Sequence, residues 1–385
     1  MLKRFLCLFL AFAFLFCLVS CGEDESAEAS TDFSPADEDS VPACKPEPMI
    51  NGARLSEFTV VYKNNVSDTA KFKTAAQSFV KQVKEIYGVT LKCTSDNAAE
   101  TENEIIFGIS QSREICKDNN KKYGIGGYDV EVRGRKVVFS ATYANGAFGA
   151  GEEFLKKISD SEKVSDMKFE GEKKVVKVAC VGDSITYGAT STNDQQNYPN
   201  YLQEMLGLDY HVLNAGISGY SIVSTDQYAY KKSNEFSQAI SFKPDVVLFA
   251  LGTNDANPTP NQPYKDWENE ANDRANRFDQ STNELLDAFI AENKDVQIIM
   301  LLPTSLFKVG DDGWNAEAWN ANLTKHVIPH LKRIAEERSL MTVDLYSWSL
   351  ENKNIFVDGL HPKNATYKPF ARFIYDSVKN DIKKP

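Results

Sequence analysis

The chain has 385 residues, 42% of them hydrophobic, and carries 43 basic against 54 acidic side chains, a formal net charge of -11. That length and apolar content suffice for two ordinary domains. The acidic balance, with no basic stripe interleaved with aromatics, speaks against a nucleic-acid partner.

At the start, Lys3 and Arg4 precede an apolar run from Phe5 to Val19, followed by Ser20 and Cys21. The charged start, apolar middle and small residue are those of a secretion signal, and the run is too short for a comfortable membrane span. Leu18-Val19-Ser20-Cys21 resembles a bacterial lipobox. The resemblance implies a signal over residues 1–21, lipidation of Cys21 and a place on the bacterial cell envelope facing outside the cytoplasm, with that lipid as the sole membrane contact. A plain signal peptide with a chance cysteine is the alternative. Residues 22–50, rich in acid, Ser, Ala and Pro, bury too little to offset ordering entropy and read as a flexible tether. Of the seven cysteines, Cys44, Cys93 and Cys116 are left once the signal, Cys21 and the strand residue Cys180 are set aside. Outside the cytoplasm one disulfide among them is permitted, and Cys93 with Cys116 is the preferred pair because both fall in one compact region.

Residues 51–170 mix strand and helix patterns. Strands are predicted at 58–62 and 104–108, an amphipathic helix at 72–87, a hairpin from 128–132 and 136–140 about Arg133-Gly134-Arg135, and a helix at 147–158. This is a small α+β domain. Its strand Glu104-Ile105-Ile106-Phe107-Gly108, its hairpin and the helix beginning Ala147-Phe148-Gly149 make it similar to the small domain that precedes the catalytic barrel of chitobiases and other β-hexosaminidases. The likeness implies a carbohydrate-processing context, without a binding site in this domain.

Residues 171–385 alternate apolar strands (175–181, 210–214, 246–250, 296–302, 341–345) with helices near 198–206, 233–240, 272–293, 316–338 and 365–379. Five strands interleaved with helices predict an α/β region with a five-stranded parallel sheet covered on both faces. Candidate chemistry sits just past the strands. Gly182-Asp183-Ser184 follows the first, Asn214-Ala215-Gly216-Ile217-Ser218-Gly219 the second, Leu251-Gly252-Thr253-Asn254-Asp255 the third, and Asp358-Gly359-Leu360-His361-Pro362 lies near the end. In an open parallel sheet such positions converge on one crevice. A serine, an imidazole and a carboxylate are the parts of a serine hydrolase, which cleaves esters without a metal or organic cofactor. Of the four histidines, His211, His326, His330 and His361, only His361 has an acid placed upstream within a Gly- and Pro-bounded loop. His326 and His330, four apart, have metal-ligand spacing but no nearby Cys or acid completes a set, and Pro329 interrupts the pattern.

Together these blocks resemble the GDSL, or SGNH, hydrolase family over residues 174–382. The resemblance implies a three-layer, flavodoxin-like fold, with Ser184 as nucleophile, His361 as base and Asp358 as its partner. It also implies an oxyanion hole from the backbone N–H of Ser184 and Gly219 and the side chain of Asn254. Gly216 is the poorer match for the family's glycine, which follows a serine as Gly219 does.

Substrate choice falls to the long connections at 256–270 and 304–320. Tyr264, Trp267 and Trp314, with Asp183, are candidate substrate contacts, although the rings are equally readable as loop anchors. Polar residues between the rings fit a glycan rim better than a fatty-acyl channel. The partner expected is an acetylated glycan or another small-acyl ester. A lipase or lysophospholipase using the same triad, and a non-catalytic glycan-binding lipoprotein, are the competing readings.

Overall fold

The computed structural model describes residues 44–64, 69–193, 195–258, 266–269, 271, 273–308 and 315–385. The signal, Cys21, Tyr264 and Trp314 lie outside them. Cys44–Pro385 forms one compact unit. No helix among the described residues is long and apolar enough to cross a membrane.

The first half runs β1 (Met49–Ile50), β2 (Ala53–Arg54), β3 (Thr59–Tyr62), α1 (Thr69–Tyr87), β4 (Lys92–Ser95), β5 (Glu104–Phe107), β6 (Gly127–Arg133), β7 (Lys136–Ser140), α2 (Ala144–Ile158), β8 (Lys163–Val164) and β9 (Met167–Glu172). Six of these form a sheet in the order β4-β3-β5-β7-β6-β9. The first four strands are parallel, while β6 runs antiparallel to both its neighbours. Because side chains alternate along a strand, Val60, Ile105 and Val137 face one core and Val61, Ile106 and Val138 the other. The larger core, with α1 and α2, centres on Phe79, Phe107, Phe139 and Phe154, whose rings pack edge to face or tilted at 4.8 to 5.6 Å.

Two expectations are corrected here. The tether does not reach residue 50, because Met49–Ile50 pairs with Lys163–Val164 and Ile50 is fully buried. Nor is there a disulfide among the described residues: Cys93 and Cys116 are free thiols. Cys93 packs against the larger core and Cys116 lies in the smaller one. The sheet therefore stands between them.

The second half runs β10 (Val176–Gly182), α3 (Ser184–Tyr187), α4 (Tyr198–Leu206), β11 (Tyr210–Gly216), α5 (Asn234–Ser241), β12 (Val246–Ala250), α6 (Arg274–Glu292), β13 (Gln297–Leu302), α7 (Ala316–Asn322), α8 (Ile328–Glu337), β14 (Met341–Asp344), α9 (Leu345–Glu351) and α10 (Tyr367–Val378). All five strands are parallel, in the order β11-β10-β12-β13-β14. This is the flavodoxin-like order, with its switch point beside the first strand. Val246, Val247, Leu248 and Phe249 are all buried, as expected of a strand covered on both faces. Side-chain oxygens of Asn197, Ser233 and Asp344 cap α4, α5 and α9. The helix predicted at 316–338 runs from Ala316 to Glu337 but changes pattern midway. A π-helical turn, Leu323–Val327, separates α7 from α8, whose first turn holds Pro329. A proline has no N–H to give the preceding turn and its ring crowds the carbonyl four residues back, and the wider turn accommodates both.

The halves meet at β11, the edge of the second sheet. From α2, the buried Asn145 donates to the carbonyls of Leu208 and Tyr210 at 2.8 and 2.9 Å, and its Oδ1 lies 2.9 Å from His211 Nδ1. Gln203 donates to Tyr210 O and accepts from Val212 N. Side-chain amides thus occupy backbone groups that an edge strand leaves open. Burial, and to a lesser degree Lys71, pushes His211 down to about 4.

Candidate active site

Three strand ends lie level. Gly182 of β10 pairs with Gly216 of β11 on one side and Ala250 of β12 on the other. Ser184 follows two residues after the first, Gly219 three after the second and Asn254 four after the third. Close approach explains two glycines: a Cβ at Gly216 would lie 2.3 Å from Tyr187 N, and one at Gly182 would lie 2.0 Å from Thr186 Oγ1. The short helix beginning at Ser184 therefore sits directly on the strand ends. Gly219 differs from Gly216, since it has φ of +83° and open space at its α-carbon. That is backbone a ligand can approach.

Ser184 Oγ lies 2.8 Å from His361 Nε2, and His361 Nδ1 lies 2.7 Å from Asp358 Oδ2. Asp358 Oδ1 accepts the backbone N–H of Leu360 and of His361 at 2.9 and 2.7 Å. The loop is held in turn by Phe307 N donating to Gly359 O and Val357 N donating to His361 O. Burial pulls the Asp358 carboxyl upward, but the bonds from the His361 ring and the two backbone N–H groups outweigh it and hold the group below its usual range. Asp358 is thus a fixed anion that accepts from Nδ1 and leaves Nε2 to face the serine hydroxyl. Ser184 and His361 are both buried, at 9% and 8% exposure, which limits competition from bulk water.

Asn254 donates one amide hydrogen to Tyr220 O at 2.9 Å, which fixes its side chain beside the Gly219 loop. One residue on, the fully buried Asp255 accepts from Ile222 N, Val223 N and Arg274. Arg274 in turn forks onto Asp226. Burial foremost, with Asp226 close by, pushes Asp255 up to about 6 against the opposing pull of Arg274 and the two N–H groups. Sequence reading missed these three residues. A buried arginine at the first turn of an amphipathic helix looks like a solvated charge until its neighbours are known.

Two candidate substrate contacts are corrected. Trp267 is buried, its indole N–H donates to Asp255 O at 3.0 Å, and its ring stacks on His326 at 5.2 Å, so it anchors its loop. Asp183, only 1% exposed, caps the helix of Ser184 by accepting Ile185 N–H at 3.0 Å. Burial pushes its carboxyl up, against that N–H, the Thr253 side chain and nearby His361. Its contacts are with the fold that holds Ser184. Among the described residues, Tyr187 and Tyr228 are each about half exposed, with Tyr220 5.6 Å from Tyr228. They were passed over because Tyr187 closes the short helix that begins at Ser184 and Tyr228 lies in the loop that carries Gly219. His326 faces Glu268 and His330 faces Asp279.

Among solved structures, the native aryl esterase of M. smegmatis is 18% identical, with a TM-score of 0.40 over 54% of this chain and 99% of that one. A carbohydrate acetylesterase from Sinorhizobium meliloti is 18% identical, with a TM-score of 0.38 over 53% of this chain and 99% of that one. The acetylxylan esterase of Xylanibacter ruminicola is 27% identical over 226 residues, which is 53% of this chain and 43% of that protein. A multidomain esterase of Ruminococcus flavefaciens is 22% identical over 241 residues, 54% of this chain and 29% of that protein. The chain spans less than half the length of either relative. Residues 180–368, which take in every strand end and loop described above, match the GDSL-like Lipase/Acylhydrolase family. The C-terminal half of this chain is a GDSL-like lipase/acylhydrolase domain.

Proposed function

We propose that the protein is a serine carboxylic ester hydrolase that removes acetyl or other small acyl groups from carbohydrate. One observation carries the reading: Ser184, His361 and Asp358 form an unbroken line of hydrogen bonds at 2.8 and 2.7 Å. In this mechanism Ser184 Oγ attacks the ester carbonyl carbon while His361 Nε2 takes its proton, and Asp358 holds the imidazolium that results. The negative charge on the carbonyl oxygen falls to the N–H groups of Ser184, Gly219 and Asn254. When the tetrahedral species collapses, His361 returns the proton to the sugar oxygen and acyl-Ser184 remains. Water, activated by the same imidazole, then attacks the acyl carbon and releases acetate.

The carbohydrate part of the reading is supported by the name of one relative, an acetylxylan esterase, and by the half-exposed Tyr187 and Tyr228 beside the nucleophile and the Gly219 loop. An amphipathic ring suits a sugar face better than a purely apolar wall does. A secreted, envelope-tethered enzyme working on plant polysaccharide is the setting we propose, with Cys21 as the lipid-bearing residue. The test is acetate release from acetylated xylan and from aryl acetates by the wild type and by Ser184→Ala. The variant is expected to lose at least about 10⁴-fold in kcat. Full activity in the variant would reject the mechanism, and rates that climb with acyl chain length would shift the reading to a lipase-type esterase.

A further inference from the structure

Arg274 has no exposed side-chain surface, and neither do its two carboxylate partners beyond 1%. Its Nη1 and Nη2 meet Asp226 at 2.8 and 3.1 Å, and Nη2 also meets Asp255 at 3.2 Å. Asp226 belongs to the loop after β11, the loop that carries Gly219, and Asp255 to the loop after β12, next to Asn254. Resting on the ester-hydrolase reading, we propose that Arg274 is a positioning residue for the oxyanion donors, clamping these two loops so that Gly219 and Asn254 address the same oxygen.

Other hydrogen bonds also join the two loops. Asn254 Nδ2 donates to Tyr220 O, while Asp255 takes the N–H groups of Ile222 and Val223 at 2.9 and 3.2 Å. Ser221 Oγ donates to Asp226 at 2.9 Å. Residues 220–223 are therefore zipped onto 254–255, and Arg274 closes the far end of the zip. Trp267 lies 5.7 Å from the guanidinium and donates to Asp255 O, so it covers the cluster and joins it. A buried ion cluster is a poor device for stability alone, since apolar residues of similar volume do as well or better. A planar fork that contacts two loops at once does something apolar residues cannot: it fixes distance and orientation together. Oxyanion donors depend on such placement, because a shift of about 1 Å at a reacting centre can cost on the order of 100-fold.

A double-mutant cycle tests this, with kcat normalised to sites titrated by a fluorophosphonate, so that misfolded protein is not counted. Arg274→Met is expected to lower kcat on an aryl acetate about 10-fold or more with KM nearly unchanged. On an Asn254→Ala background the same substitution should cost less than about 3-fold, because with Asn254 gone there is no longer a pair of donors to align. Arg274→Lys should recover part of the loss, since an ammonium keeps the charge but loses the fork. If Arg274→Met gives no titratable sites, Asp226→Asn, which leaves the Arg274–Asp255 pair in place, enters the same cycle with the same expectation. Equal losses in both backgrounds, an unchanged kcat, or a rise in KM alone would overturn the inference. Those outcomes leave the ester-hydrolase reading intact if Ser184→Ala is inactive, whereas an active Ser184→Ala removes that reading itself.

Discussion

The two halves of this protein share a plan and differ in equipment. In each, the first parallel strand is flanked by the second and third, β4-β3-β5-β7 in the N-terminal sheet and β11-β10-β12-β13 in the C-terminal one. Each such arrangement opens a crevice beyond the carboxyl ends of its strands. The N-terminal sheet has a cavity of about 560 Å³ there, lined among others by Asn64, Asp96, Ser110 and Thr142. Two of its lining side chains are engaged by the fold, Asp96 accepting from Asn64 N and Ser110 Oγ, and the buried Arg113 reaches Glu104 and the carbonyls of Asp96 and Ala98. No histidine precedes residue 211. Arg113 and Arg274 are both buried arginines that tie loops together, but the loops tied by Arg274 carry Gly219 and Asn254. Strand order supplies a crevice; the residues set just past the strand ends, with the Asp358–His361 loop brought to them, decide whether it can do chemistry.

Substitutions in each half should therefore separate stability from catalysis. The largest expected effect is in the N-terminal core. Phe139→Ala removes a fully buried ring that touches Phe79, Phe107 and Phe154 and should cost roughly 3–5 kcal/mol in urea unfolding, with kcat per titrated site unchanged. A matching fall in kcat would mean that the halves are coupled more closely than the comparison allows. Next comes Asn254→Ala, expected to lower kcat about 10²–10³-fold, close to 3 kcal/mol of transition-state stabilisation, while thermal unfolding stays nearly constant.

The junction sharpens the picture further. His211 is held neutral, about 4 against an ordinary value of 6.5. A base whose folded value is lowered binds its proton more readily when unfolded, so its contribution is whole above pH 6.5 and is lost as the pH falls from there to about 4. Up to ~3 kcal/mol should disappear over that window. Melting temperatures measured across it should slope less steeply in His211→Asn. The smallest expected effect is that of Asn145→Ala, which takes the Asn145 donor from the carbonyls of Leu208 and Tyr210, of which Tyr210 O keeps Gln203. It should cost about 1–3 kcal/mol, read by chemical denaturation, with hydrolysis unaffected.

Much of the C-terminal sheet was legible because its strands are continuous apolar runs between clear helical patterns. The prediction of 246–250 coincides with β12, and that of 198–206 with α4. Strands without that contrast were missed. In β4, Lys-Cys-Thr-Ser has no fully buried residue, and in β9 the alternation of Met167, Phe169 and Gly171 is hidden among Lys and Glu. Helix α9 was missed, and its first residue, Leu345, was read as the end of a strand, because Asp344, which caps the helix, also ends β14. At the site, Ser184, His361 and Asp358 were named from residue type and order. Trp267 was misjudged because a large ring in a long loop has the same sequence appearance whether it faces solvent or packs inward.

The amino-acid sequence by itself determined which atoms were available for chemistry. It holds one histidine in an acid- and glycine-bearing loop, a serine just past a buried strand, and an asparagine and a glycine at matching places past two more. It also determined the parallel α/β plan, since hydrophobic period and turn residues act locally. The tertiary structure decided the 2.8 Å approach of residues 177 positions apart and the role of Gly219 rather than Gly216 as open backbone. It likewise decided that Arg274 faces inward to two carboxylates instead of outward to water. Burial and long-range pairing set those outcomes, because the energy of a charge or a donor depends on neighbours that only folding brings near.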